Sequence, residues 1–215
     1  MKPFYESDGI TIYNEDCAEV LPLVPPTDVD LLLTDPPYGI AHRVPDLSSG
    51  LAGASKTANQ SVVGDDSPFD PMHLLGYEKI ALWGGDRYSD RLPVGGWLVW
   101  DKTGGGKART FMADAEMMWH NMGHAVDVFH HLWLGAFRDS EHKLRGAHPT
   151  QKPTALMRWI VEKWTEPGDL VFDPYMGSGP IAQACHEMGR RYIGVEIAEQ
   201  YCHTAVSRLA QQILF

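Results

Sequence analysis

Apolar positions recur along this chain in two periods. Val29 to Thr34 reads Val-Asp-Leu-Leu-Leu-Thr, a short apolar run stopped by Asp35-Pro36-Pro37. A run of that kind predicts a strand covered on both faces, and prolines end it because they bring no ladder N–H. Ile10–Tyr13 alternates weakly and predicts a shorter strand, and Lys79–Trp83, Trp97–Asp101 and Val126–Leu134 predict three more. From residue 154 the period lengthens. Leu156, Met157, Ile160, Val161 and Trp164 fall on one helical face, between Pro153 and the stop signal Pro167-Gly168. Leu170–Phe172 predicts a buried strand. Ile181, Ala184, Cys185 and Met188 then share a helical face before the capping Gly189. Tyr192–Val195 predicts a strand ending at Glu196, and Ala198, Cys202, Ala205, Val206, Leu209 and Ile213 line a last helix. Strand–helix–strand–helix implies an α/β fold with a doubly wound, mostly parallel sheet.

The chain has 215 residues, the length of one domain, with 44% apolar and 21% charged residues. That composition excludes wholesale disorder, collagen and coiled coil. No apolar run approaches the roughly 18 residues of a membrane span, and the opening residues hold no apolar signal core, so the expected place is the cytoplasm. Residues 40–70 show no sustained period and predict a mobile loop, with its flank about 40–75. The net charge of -10 is uneven: -9 over residues 1–100, +1 over 101–152 and -2 beyond. A polyanion would meet the middle segment, about 102–147, where Lys102, Lys107, Arg109, Arg138, Lys143 and Arg145 stand. Cys17, Cys185 and Cys202 have neither disulfide nor metal spacing, and the histidine pairs lack supporting carboxylates, so no metal is expected.

Two segments carry the chemistry. Asp173-Pro174-Tyr175-Met176-Gly177-Ser178-Gly179 joins a strand to a helix, where glycines let backbone approach a ligand. Glu196 ends the next strand, placed to take ribose hydroxyls. Gly177, Gly179 and Ala182 also fit the dinucleotide fingerprint, so NAD competes here. Asp173 would repel a pyrophosphate and attract the sulfonium and ammonium of S-adenosylmethionine, which favours the latter. The second segment is Thr34-Asp35-Pro36-Pro37-Tyr38-Gly39. The Asp35 carboxylate and the Pro36 carbonyl form paired acceptors that would orient one amino group, while Tyr38 offers a stacking face.

Together these motifs resemble the amino-methylating DNA methyltransferases, which make N6-methyladenine or N4-methylcytosine. Asp35-Pro36-Pro37-Tyr38 looks like their catalytic motif. His148-Pro149-Thr150-Gln151-Lys152-Pro153 followed by Asp173–Gly179 looks like their cofactor block, and Asn14-Glu15-Asp16-Cys17 like the acidic segment set against the cofactor's adenine. Catalytic motif first and cofactor motif last is the permuted order of the family's β group.

The resemblance implies a Rossmann-like S-adenosylmethionine-dependent fold. It places Asp35, Pro36, Pro37 and Tyr38 at the target base. Asp16 and Cys17 would meet the adenine, Glu196 the ribose, and His148, Thr150, Lys152, Asp173, Tyr175, Gly177, Ser178 and Gly179 the rest of the cofactor. It further implies double-stranded DNA as partner, base flipping, a homodimer as in much of the β group, and restriction-modification as the setting. Two positions depart from the family: Tyr175 stands for the usual Phe, and Pro180 for the usual Thr. Asp35 favours adenine N6 over cytosine N4, where Ser is more frequent. An RNA or protein-amide methyltransferase, a nicotinamide-dependent oxidoreductase, and a DNA-binding module without chemistry are the competing readings.

Overall fold

A computed structural model describes residues 1–39, 67–106, 113–134, 137–141 and 152–210. In chain order the elements are β1 (Tyr5–Ser7), β2 (Ile10–Asn14), α1 (Cys17–Val20), β3 (Leu31–Thr34), β4 (Ile80–Trp83), β5 (Gly96–Asp101), β6 (Ala115–His120), β7 (Val126–His130), β8 (Trp133–Leu134), β9 (Phe137–Arg138), α2 (Thr154–Trp164), β10 (Leu170–Asp173), α3 (Pro180–Glu187), β11 (Arg191–Glu196) and α4 (Glu199–Leu209). Nine strands form one sheet in the order β1-β2-β11-β10-β3-β4-β6-β5-β7. Within it only β1 and β6 run against the common direction. This is the expected α/β fold with a mostly parallel sheet.

Both faces of the sheet are covered, which explains the unbroken apolar run in β3. Leu31 and Leu33 face a core shared with Leu156, Ile160, Ile181, Cys185, Cys202 and Ala205 of α2, α3 and α4. Leu32 faces the other side, with Val20, Leu74, Tyr77, Leu82 and Trp119. Each such leucine contributes about 1.5–3 kcal/mol of apolar burial.

The sequence pattern and the fold part company in three places. The chain doubles back at Asp8-Gly9, both with positive φ (50° and 79°), adding β1 as an antiparallel edge. Ala115–His120, within the segment expected to read DNA, is a strand inside the main sheet, paired antiparallel with both β4 and β5. The expected strand Val126–Leu134 divides: β7 ends at His130, and β8 pairs instead with β9 in a separate ribbon. In the expected loop, residues 40–66 lie outside the described residues, while Phe69 and Leu74 are buried in the core. Ile213 also lies outside them. Among the described residues no helix is long and apolar enough to cross a membrane.

The two chemical segments leave neighbouring parallel strands. β3 and β10 pair directly at Val171–Leu31 and Phe172–Leu32. From β3 the chain builds outward through β4; from β10 it builds the opposite way through β11. The carboxyl ends of β3 and β10 therefore flank the point where strand order reverses, the place where open α/β sheets bind ligands.

Candidate active site

Two hydrogen bonds through the Thr34 hydroxyl join the two segments, one of them accepted from the Tyr175 N–H at 3.2 Å. Thr34 Oγ1 donates to Asp173 Oδ1 at 2.6 Å. Asp173 is fully buried, and its other oxygen accepts from the Tyr192 hydroxyl at 2.9 Å. Burial pushes its carboxyl up to about 7, against the pull of the Thr34 and Tyr192 hydroxyls and the Tyr175 N–H. Asp173 thus braces the glycine turn from beneath rather than presenting a carboxylate to the opening.

Beyond Asp173 the turn is built from special backbone. Gly177 has φ +56°, and a Cβ there would meet nothing within 4 Å, so its outer side is open. Gly179 has φ +77°, and a Cβ there would fall 2.6 Å from the Cβ of Ala205. It thereby lets α3 and α4 approach closely. Ser178 is buried. Pro180 opens α3 at the first helical position, where an N–H would have no helical acceptor.

The ends of β2 and β11 close round this turn. Asn14 Nδ2 donates to the carbonyls of Glu196 and Ile197 at 2.9 and 3.0 Å. Glu196 Oε2 accepts from Gly177 N–H at 2.9 Å and Oε1 from Ala198 N–H at 2.7 Å. Burial raises this carboxyl above its ordinary value despite those bonds. Asp16 caps α1 by accepting from Ala18 N–H at 2.9 Å. Half-buried Cys17 has its thiol raised, first by burial. Tyr175 stands 3.0 Å from His73 Nε2 through its hydroxyl, and Phe69 meets both rings edge-on. The sequence reading missed His73 and Phe69, since a histidine and a phenylalanine in a polar stretch give no periodic signal.

On the β3 side, Tyr38 OH donates to Asp35 Oδ1 at 2.5 Å. The Tyr38 ring lies against Gly84, where φ is +68° and a Cβ would stand 2.1 Å from ring carbon Cε1. Burial, then the Asp35 charge, hold the Tyr38 phenol well above its ordinary value, so it stays a donor. Pro36 is buried and Pro37 half-buried. The Lys152 ammonium, expected at the cofactor, touches Asp35 Oδ2 instead. Glu116 lies 3.6 Å from the same ammonium. Its carboxyl is lowered, because Lys152 and Lys102 outweigh the cost of burial. A glutamate in a strand of weak β-propensity gave no sequence signal for that place.

Of the residues expected on DNA, Lys102 needs correction. It is 7% exposed and donates to Glu116 Oε1 at 2.9 Å, because the chain leaving β5 turns it toward β6. The Arg138 guanidinium stands 4.1 Å from the Trp133 ring centroid. Lys107, Arg109, Lys143, Arg145, His148 and Thr150 lie outside the described residues.

The family model described as DNA methylase matches residues 125–207. YubD of Escherichia coli (strain K12) is 29% identical over 208 residues, covering 91% of this chain and 88% of that protein. The type II methyltransferase M2.DpnII of Streptococcus pneumoniae is 26% identical, over 97% of this chain and 92% of its own. Both relatives and the family model support the amino-methylating DNA methylases as the group this chain resembles. The chain also shares its fold with the solved PvuII DNA methyltransferase (cytosine-N4-specific), at TM-score 0.67 and 16% identity, over 100% of this chain and 91% of that one. These likenesses support an S-adenosylmethionine-dependent methylase of amino groups in DNA, adenine N6 or cytosine N4.

Proposed function

We propose that this methylase acts on adenine N6 in double-stranded DNA, sequence-specifically, on a base turned out of the stack. The observation that carries the reading is the placing of Asp35 and the glycine turn on adjacent strand ends, tied by the Thr34–Asp173 bond. Asp as the first residue of the catalytic motif favours adenine.

The residues fit the cofactor. Gly177 leaves open space beside a carboxylate, Glu196, whose oxygens each take one backbone N–H here and retain lone pairs for ribose hydroxyls. Asp16 stands just past the end of β2, and its motif assigns it to the adenine amino group of the cofactor. S-adenosylmethionine supplies a methyl group activated on a sulfonium. Tyr175, Ser178 and Gly179 shape the wall of that site, and His148 and Thr150 are assigned to it by their motif.

Asp35 and the Pro36 carbonyl accept the two N–H bonds of the target amino group. That nitrogen is conjugated with its ring and weakly nucleophilic. Two acceptors draw it toward tetrahedral geometry, and they bind best once positive charge develops in the transition state. Pro37 stiffens the turn, and Tyr38 offers its ring to the base. Taking the base out of the duplex costs a few kcal/mol, which binding must offset.

The test incubates the protein with unmethylated DNA and isotope-labelled S-adenosylmethionine, then digests the DNA to nucleosides. Label in N6-methyladenine is the expected result. Label in N4-methylcytosine keeps the chemistry and changes the base, and no label in DNA despite cofactor binding rejects the reading. Asp35→Ala is expected to abolish transfer while cofactor titration stays as in the wild type; lost cofactor binding would put Asp35 in the wrong half of the site.

A further inference from the structure

The Lys152 ammonium is an enclosed charge on the β3 side of the site. Its side chain is 3% exposed, between Asp35 and Glu116. It donates to the Tyr38 hydroxyl at 3.3 Å and stands 4.8 Å from the Trp83 ring centroid. Glu116 is held on its other oxygen by Lys102. Lys102, Glu116, Lys152 and Asp35 therefore form a row of alternating charge running inward from β5 and β6. Asp35 stands at its open end, 29% exposed. Every one of these partners of Lys152 lies on the β3, β4 and β6 side of the switch point.

We propose that Lys152 is a positioning residue for Asp35 on the target side, not a cofactor ligand, and that Glu116 and Lys102 hold its ammonium there. The proposal rests on Asp35 being the acceptor of the target amino group. An enclosed ammonium is stable only when hydrogen-bonded and paired, and here Asp35 and Tyr38 accept from it while the Glu116 carboxylate adds a second negative charge 3.6 Å away. In return it fixes one Asp35 oxygen, so the remaining lone pairs face the opening in one orientation.

The test compares the wild type with Lys152→Met and Lys152→Arg in two measurements. The first is titration with S-adenosylmethionine, which needs no transfer. Lys152→Met is expected to bind within about threefold of the wild type, under 1 kcal/mol of change. Binding weakened tenfold or more overturns the proposal and returns Lys152 to the cofactor. The second is kcat and KM on DNA at saturating cofactor. Lys152→Met is expected to lose about a hundredfold in kcat, with its KM for DNA within about threefold of the wild type. Lys152→Arg, which keeps the charge and the donors, is expected to recover most of that kcat. A kcat unchanged in Lys152→Met, or a loss that falls on KM alone, overturns the proposal. If Lys152→Met does not fold, Lys152→Gln keeps a donor without the charge and carries both readouts. A wild type that binds cofactor but labels no DNA rejects the adenine reading, and the titration still decides the side on which Lys152 serves.

Discussion

A methyl group added at Gly84 would fall on the Tyr38 ring, in a backbone conformation that side chains rarely adopt. Gly84→Ala should therefore cost about 1–3 kcal/mol of stability and displace Tyr38 from Asp35. Denaturant unfolding reads the first, and lost kcat with retained cofactor binding the second. Asp173 offers a pH test. Its folded carboxyl titrates near 7, above the ordinary Asp value of 3.8. The folded state thus holds its proton longer than the unfolded chain, and the resulting stability is lost as pH rises from about 4 to 7. Melting followed over that range should fall in the wild type, and Asp173→Asn should flatten the component. A steeper fall in Asp173→Asn than in the wild type would contradict it. Asp35 and Glu196 were legible because each follows a readable strand. Lys152 was legible as a motif residue but not as the partner of Asp35, 117 residues away, since an ion pair leaves no periodic trace.

At the scale of elements, strands and helices were legible where period and boundary agreed. β3 has its proline stop, and α2 spans Thr154–Trp164 as its apolar face predicts. β6 was not legible, because Ala, Glu and Met favour helix and only pairing on both edges makes them a strand. Its anchor is Trp119, 1% exposed, whose indole N–H donates to the Pro93 carbonyl at 3.1 Å. Trp119→Ala should cost about 3–5 kcal/mol. Because β6 carries Glu116, catalysis should decline more than cofactor affinity, a pairing that urea titration with parallel assays would read. The glycine turn makes the complementary case: Gly179→Ala pushes a Cβ onto Ala205 and should weaken cofactor binding, leaving the Asp35–Tyr38 contact intact.

Taken whole, the molecule brings a net charge of -10 to a polyanion, and Lys102 and Lys152 are both enclosed within it. If Lys107, Arg109, Lys143 and Arg145 are the residues that meet DNA, the salt dependence of binding should count them. The slope of log affinity against log salt should be about -3.6 for four phosphates, and each alanine substitution should reduce it by about 0.9. A slope unchanged by all four substitutions would move the DNA elsewhere. The pairing of β3 with β10 also bears on how the protein is made. Thr34 and Asp173 are 139 residues apart, so on a ribosome adding about 5–20 residues per second, β3 waits roughly 7–30 seconds for its neighbour. Through that interval three consecutive leucines stand at an open sheet edge. The strand that leads into Asp35 is therefore the part of the nascent chain most in need of a chaperone, and chains halted before residue 170 should aggregate where full-length chains do not.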